Sequence, residues 1–259
     1  ILSHLVAGAH GPVRRGWATV GVAGCLGALA YYKYQPFLLD LVWPLLGGGA
    51  PPDASPPPLR PPLGISFFVF EFVHYLVEVY RGGFAPGGFT DFMLFIMFFP
   101  TLICGPIKRF QLFNPEEYVR RRLDPANVHA GLERILFGLA KKTLIADAVA
   151  PYCLPVFANP DAYTTGQLWL GVYGYAMQIY FDFSGYSDIA IGSATLLGYP
   201  VPENFNNPYL QTNIARFWQS WHMSLTSWIT DYVYIPLGGN RRGELRAASE
   251  MEPAVVESD

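Results

Sequence analysis

Long apolar runs with little charge are the feature of this sequence that most constrains its fold. They cover residues 16–32, 63–80, 89–107 and 167–199, and only 14% of the chain is charged, against about a quarter in a typical soluble domain. The first run is just long enough to cross the hydrocarbon of a bilayer. A backbone in lipid must satisfy its own hydrogen bonds, and continuous runs of this kind do so as helices. The sequence therefore predicts an all-α, polytopic transmembrane helical bundle.

Charge balance and cysteine spacing exclude several classes of protein. A net charge of −3 without a long basic stripe argues against a nucleic-acid partner. The high hydrophobicity argues against a disordered chain. Cys25, Cys104 and Cys153 lie far apart inside apolar stretches, so we predict neither a disulfide framework nor a zinc site.

The charge also divides the chain into two parts. Residues 244–259 hold five acids and one base, whereas residues 1–243 are close to neutral. We therefore predict a membrane domain over residues 1–243 and an acidic, disordered tail over residues 244–259.

His222 is the clearest candidate for chemistry. It lies within an apolar segment, residues 214–234, that also carries Trp218, Trp221 and Asp231 and is predicted to form an amphipathic or re-entrant helix. Histidine ionises near working pH, so it is suited to take and return a proton in acyl transfer. A histidine hydrogen-bonded in a helix interface is an equally good interpretation of the same residue.

A second cluster places Asp182, Ser184 and Asp188 in one apolar run. Ionisable groups in such runs are functional candidates by default. The two aspartates are six residues apart and do not share one helical face. Gly185 between them permits a break in the helix, and a broken helix can line a polar cavity. Hydrogen bonding between helices is the alternative for each aspartate. Ser184 lacks the G-x-S-x-G context of a hydrolase nucleophile.

Two further sets of charged and polar residues are candidates for a functional role, one at residues 71–78 and one at residues 108–109. Glu71, His74 and Glu78 fall on one helix face. Glu-x-x-His is half of a di-metal site, but the sequence has no second copy, so we predict a polar stripe facing the bundle interior and no metal. Lys108 and Arg109 follow a Gly-Pro turn, and they are candidates for an anionic cofactor phosphate, for lipid headgroups or for a topology signal.

Seven motifs in a fixed order resemble one family. They lie at residues 63–68, 79–82, 98–110, 180–191, 204–209, 217–225 and 231–241. Together they are similar to the membrane-bound O-acyltransferases over about residues 16–243, and most similar to the bacterial branch of alginate O-acetyltransferases and teichoic-acid D-alanyl transferases.

The resemblance implies a multi-pass enzyme of the bacterial inner membrane, in contact with membrane lipid. Its acyl donor would be acetyl-CoA, with no bound cofactor, and its acceptor an exported polysaccharide or a periplasmic or extracellular acetyl-relay protein. It makes His222 a functionally important residue, and we predict that His222 is the catalytic base or a hydrogen-bond donor in acyl transfer. Arg109, which follows the Gly-Pro turn, is the candidate contact for the donor. Residues expected to line or shape the substrate funnel are Asp182, Ser184, Asp188, Trp218, Trp221, Asp231, Asn240 and Arg241.

The sequence also departs from the family pattern. Gln219, Ser220 and Thr230 stand where the family commonly has arginine. The family continues with further spans and a second histidine in a Leu-Trp-His-Gly-type motif, which this sequence lacks, so we expect the chain to be a fragment. Two other functions remain open besides an acyltransferase. One is a transporter or flippase-like subunit, with Asp182, Asp188 and Glu71 along its path, and the other is a non-catalytic assembly component.

Overall fold

The structure is a computed structural model that describes residues 1–42, 45, 61–113 and 124–239. Its α-helices are α1 Leu2–Gly8, α2 Gly11–Lys33, α3 Gln35–Val42, α4 Ile65–Arg81, α5 Phe89–Ile96, α6 Pro125–Ala140, α7 Asp147–Ala158, α8 Thr165–Leu196, α9 Ile214–Ser220 and α10 Met223–Ile229. Extended pairing in this part of the chain is limited to an isolated bridge between Phe205 and Trp221. The predicted all-α class is therefore confirmed.

The sequence also predicts helices that span the membrane. Over residues 1–42, 61–113 and 124–239, no single helix combines the length and the apolar character needed to cross a bilayer.

The N-terminal half packs around α4. Its apolar residues Val69 and Val73 are buried together with Ile107 and with Trp228 of α10. The Trp228 indole N–H donates to the Phe70 carbonyl at 3.0 Å, which ties α10 to α4. Because His222 directly precedes α10, this anchor helps to fix where the candidate histidine lies.

The C-terminal half is built on α8, against which α6 packs closely through paired glycines. A Cβ added at Gly138 would lie 2.6 Å from the Gly185 carbonyl oxygen, and one at Gly131 would lie 2.8 Å from the Gly192 carbonyl oxygen. At these positions any side chain would clash with the opposite helix, so glycine is required. Small residues let helices approach closely in the same way elsewhere.

The helix break that Gly185 permits does not occur. Helix α8 is continuous from Thr165 to Leu196, and its start is fixed by Thr164, whose hydroxyl accepts from the Gln167 N–H. Gly185 serves the close approach to α6 instead of a kink. A glycine in an apolar run is compatible with either use, and only the neighbouring helix decides between them.

The segment 214–234 is also different from its prediction. It is interrupted at Trp221 and His222, between α9 and α10, and it ends in the π-helical turn Thr230–Tyr234. A second π-helical turn, Lys141–Ala146, joins α6 to α7. Such turns are rare and often occur at functional sites, and these two carry charged or hydrogen-bonding residues of the clusters described next.

Candidate active site

His222 lies at the junction of α9 and α10 with an unusual backbone. Its φ of 44° and ψ of 52° place it in the left-handed region, as the residue that precedes α10. Among the described non-glycine residues, only Asn207 shares a positive φ. Such a conformation costs about 1–3 kcal/mol and persists only where the surroundings enforce it.

Asn204 supplies that enforcement. It is fully buried, and its carbonyl accepts from the Met223 N–H at 2.9 Å, directly after His222. Its side-chain amide donates to the Ser187 hydroxyl of α8 at 3.1 Å, and its side-chain oxygen accepts from the Ser224 hydroxyl at 2.6 Å.

The network continues to the other half of the molecule. The Ser224 hydroxyl oxygen also accepts from the Ile107 N–H at 3.0 Å, in the segment that follows α5. On the other side of the junction, the Asn206 N–H donates to the Ser220 carbonyl at 3.0 Å. The backbone around His222 is therefore held on both sides by residues distant in sequence.

The imidazole itself is held by packing and keeps one nitrogen free. Its ring meets the Phe183 ring edge-on, with 4.7 Å between centroids. Its Nε2 is buried, and within the described part of the chain it has no hydrogen-bond partner. A buried polar atom without a partner is uncommon, and a catalytic role is one of its explanations.

Aromatic rings form one wall beside the histidine. Trp221 packs against Phe205 at 5.1 Å, Phe217 at 5.7 Å and Tyr180 at 6.2 Å between centroids. Trp218 is 56% exposed and its ring contacts Phe217. The structure therefore brings Trp221 into the packed wall and leaves Trp218 on its outside.

The two aspartates of α8 form ion pairs with the α6 side of the molecule. Asp188 accepts from Arg134 at 3.1 Å and from Lys141 at 2.6 Å, and Asp182 pairs with Lys142 at 2.6 Å. Both reach the same basic segment although their positions do not share a face, because lysine side chains are long and flexible. Both aspartates therefore make polar contacts between neighbouring segments, which is the alternative to lining a polar cavity along a broken helix.

Ser184, between these aspartates, has a different environment. Its hydroxyl is buried and has no hydrogen-bond partner among the residues that the structure describes. It lines a small cavity together with Asp188 and Asn204.

Arg109 and Asp231 form an ion pair with each other. Arg109 also donates to the Ser227 hydroxyl at 3.3 Å, and its guanidinium lies 5.7 Å from the Tyr232 ring centre. The candidate donor contact and the candidate funnel residue are therefore adjacent, on the outer side of α10.

The predicted polar stripe of α4 is partnered throughout, and Glu71 and His74 are buried whereas Glu78 is partly exposed. Glu71 pairs with Lys108, which is 1% exposed and lies 4.7 Å from the centre of the Phe95 ring. The stripe faces the interior, as predicted.

His74 in the same stripe uses both ring nitrogens. Its Nε2 accepts from the Phe110 N–H at 2.9 Å, so Nδ1 carries the proton of the neutral ring and donates to the Tyr232 hydroxyl at 2.7 Å. Tyr232 in turn donates to Glu78 at 2.9 Å.

Sequence reasoning missed Asn204, Ser224, Tyr232 and the burial of Lys108. All four lie inside the seven motifs, so the motifs were a signal, but their contacts join residues far apart in the chain. Two predicted site residues, Asn240 and Arg241, lie outside the described residues, as does the predicted tail at residues 244–259.

The sequence of this chain is similar to those of known acyltransferases. The model of the membrane-bound O-acyltransferase family matches residues 67–249. The chain is 42% identical to a probable alginate O-acetylase AlgI of Azotobacter vinelandii, over 87% of this chain and 45% of that relative. It is 33% identical to a peptidoglycan O-acetyltransferase of Helicobacter pylori, over 90% of this chain and 48% of the relative.

A third relative is named for the transfer of a different acyl group, D-alanyl instead of acetyl. The chain is 34% identical to a teichoic acid D-alanyltransferase of Bacillus subtilis, over 84% of this chain and 55% of the relative. The chain spans about half the length of the curated relatives it matches.

Proposed function

Because this chain belongs to the membrane-bound O-acyltransferase family, we propose that it moves an acetyl group from acetyl-CoA toward an exported polysaccharide or an acetyl-relay protein. We place it in the bacterial inner membrane as part of a multi-pass protein. The relatives support the acceptor class, since their names describe acyl transfer to alginate, peptidoglycan and teichoic acid.

The observation that carries the proposal is the free Nε2 of His222. In the proposed step, this nitrogen takes the proton from the acceptor hydroxyl while the hydroxyl oxygen attacks the thioester carbonyl. The C–O bond forms, the C–S bond breaks, and the departing thiolate takes the proton from the imidazolium. Ester and free CoA thiol are the products, and the histidine returns to its neutral form. A positioned base of this kind contributes on the order of 10²–10⁴-fold.

The surroundings of His222 suit that role. The left-handed backbone and the Asn204 contacts fix the junction that carries the ring, and the Phe183 ring packs against the imidazole. A base that is already oriented needs no rearrangement at the moment of reaction.

The donor's position is a second element of the proposal. We place the CoA phosphates near Arg109, in a contact that requires the Arg109–Asp231 ion pair to open. The transporter alternative receives less support, because Glu71, Asp182 and Asp188 are each neutralised by a protein cation.

The test is acetyl transfer by reconstituted His222→Ala protein. With labelled acetyl-CoA in proteoliposomes, we expect polymer- or relay-bound acetate to fall by about 10²–10⁴-fold. The matched control is His129→Ala, since His129 is an exposed histidine of α6, and its transfer should equal wild type.

Two results would overturn the proposal. One is unchanged acetylation in the His222→Ala protein. The other is movement of solute by the wild-type protein without any ester formed, which is the result that a transporter gives.

A further inference from the structure

An open groove of about 560 Å³ runs between α2 and α4. Apart from its basic end and the Thr19 hydroxyl, the groove is apolar, and its apolar lining comprises Ala18, Val22, Ala23 and Leu26 of α2 and Val77 of α4. The lining extends along α2 from Arg15 to Leu26, which is about 16 Å at a rise of 1.5 Å per residue. Half of the hydrocarbon thickness of a bilayer is about 15 Å. The groove therefore has the length of one acyl chain in one leaflet.

Arg14, Arg15 and Tyr80 form the basic end of this groove. Arg15 and Tyr80 line it directly. Arg14 lies beside them, because its guanidinium donates to the Val79 carbonyl at 2.9 Å and lies 5.8 Å from the centre of the Tyr80 ring. None of the residues that line the groove is acidic. Two positive charges therefore lie close together at one end of an apolar surface.

These two arginines differ from most other basic residues of the described chain. Arg14 bonds a neutral carbonyl oxygen, and Arg15 has no hydrogen bond or ion pair among the described residues. Carboxylate partners are instead held by Arg81, Lys108, Arg109, Arg134, Lys141 and Lys142. The N-terminal end of α2 also disfavours cations through the helix dipole, and its first turn contains no acid. An anion that binds at this end of α2 would compensate both effects.

We propose that the groove binds one anionic phospholipid, with the phosphate at Arg14 and Arg15 and one acyl chain along α2. Guanidinium groups form charge-assisted hydrogen bonds with phosphate oxygens. The Tyr80 hydroxyl, which has no hydrogen-bond partner among the described residues, can donate to the same phosphate. A headgroup that also carries a cation is repelled by the second arginine, so phosphatidylglycerol is favoured over phosphatidylcholine. The inference rests on the bilayer location that the proposed function assigns, and it adds a lipid of defined charge.

The test is native mass spectrometry of the full chain in a non-ionic detergent, titrated with dioleoylphosphatidylglycerol or dioleoylphosphatidylcholine. We expect one tightly bound phosphatidylglycerol per chain. Phosphatidylcholine should bind at least about 5-fold more weakly, since one arginine contributes about 1 kcal/mol to the attraction of anionic lipid. The third probe, sn-glycerol 3-phosphate, carries a phosphate without acyl chains and should not bind at the same concentrations.

Arg15→Gln tests the contribution of charge. Its side chain makes no hydrogen bond or ion pair within the described chain, so the fold is retained. The affinity for phosphatidylglycerol should fall about 5-fold. The matched control is Arg216→Gln, which removes the same charge from an exposed residue of α9 outside the groove. This control should bind phosphatidylglycerol like wild type.

Ala23→Phe tests the contribution of the groove. Ala23 lines the groove and is exposed, so the larger ring fills the space assigned to the acyl chain. The affinity for phosphatidylglycerol should fall although both arginines remain. The matched control is Ala28→Phe, at an exposed position of the same helix outside the lining, and it should bind like wild type.

Five results would overturn the inference: equal affinity for the two lipids, unchanged binding by Arg15→Gln, unchanged binding by Ala23→Phe, binding of sn-glycerol 3-phosphate, or a dimer that excludes lipid because a second copy covers the groove. Acetyl transfer is measured on the same preparation. His222-dependent transfer without a preference for phosphatidylglycerol would overturn this inference alone, whereas that preference without such transfer would overturn the proposed function alone.

Discussion

His74 and His222 both lie inside apolar surroundings, yet their environments differ. His74 is fully buried and both of its nitrogens have partners, the Phe110 N–H and the Tyr232 hydroxyl. His222 is half-buried in a left-handed backbone, and its Nε2 has no partner in the described chain. The two histidines therefore differ in burial and in the pairing of their ring nitrogens, and the proposed role of His222 rests on the second difference.

The same difference extends to the residues around each histidine. Beside His74, Glu71 and Lys108 form a buried ion pair, and Tyr232 joins His74 to Glu78. Beside His222, the Asn204 carbonyl holds the Met223 N–H, and the Ser224 hydroxyl bonds Asn204 and the Ile107 N–H. None of these groups bonds the imidazole. We interpret the first region as the structural support of the bundle and the second as its reactive part.

The largest expected effect on stability is in the His74 region. Lys108→Met leaves the buried Glu71 without its cation, and breaking a buried pair in this way costs about 3–5 kcal/mol. Thermal unfolding in amphipol should show a large drop in Tm. The double variant Lys108→Met with Glu71→Met should recover much of it, because an apolar pair replaces the ions. Equal loss in both proteins would contradict the structural interpretation of this pair.

A smaller loss of stability, with a loss of activity, is expected at the junction. Asn204→Ala removes the side chain that bonds Ser187 and Ser224, at a cost of about 1–3 kcal/mol for the buried groups left unsatisfied. Acetyl transfer should fall more than the folded fraction does, since the start of α10 loses its tie through Ser224 and keeps only the backbone bond from Met223 to Asn204. Asn127→Ala, outside this network, should change the free energy of unfolding by less than about 0.5 kcal/mol. Full activity in the folded Asn204→Ala protein would break the link between the network and the base.

The smallest effect is expected at Asp182. Its pair with Lys142 is partly exposed on both sides, and such pairs contribute about 0–1 kcal/mol. Asp182→Asn should therefore leave both Tm and acetyl transfer close to wild type. Asp188→Asn is the matched variant on the same helix, and it should cost more because Asp188 is 13% exposed and serves two cations. A larger loss of transfer in Asp182→Asn than in Asp188→Asn would contradict this ranking and would indicate that Asp182 lines the substrate funnel.

Some of the architecture follows from local sequence. The apolar runs at residues 63–80 and 167–199 predict α4 and α8. The spacing of Glu71, His74 and Glu78 predicts their common face, on which Glu71 and His74 are buried. These predictions succeed because helix formation and face pattern depend on residues a few positions apart.

Other features depend on contacts between distant residues and were not predictable in this way. The interruption at His222 requires Asn204, and the use of Gly185 requires Gly138 on a neighbouring helix. The partner of Glu71 lies at Lys108, in a segment that local pattern assigned to cofactor, lipid or topology. In each case the tertiary neighbour decides between two uses that the local sequence permits equally.

The most direct test of the central claim is chemical rescue of His222→Gly. Glycine accepts the left-handed backbone at this position without strain, so the protein should keep its Tm while acetyl transfer is lost. Added imidazole should restore transfer in proportion to its neutral form and should leave wild type and protein-free controls unchanged. A His222→Gly protein that is folded and inactive but does not respond to imidazole, or one that is fully active without it, would contradict a base at His222.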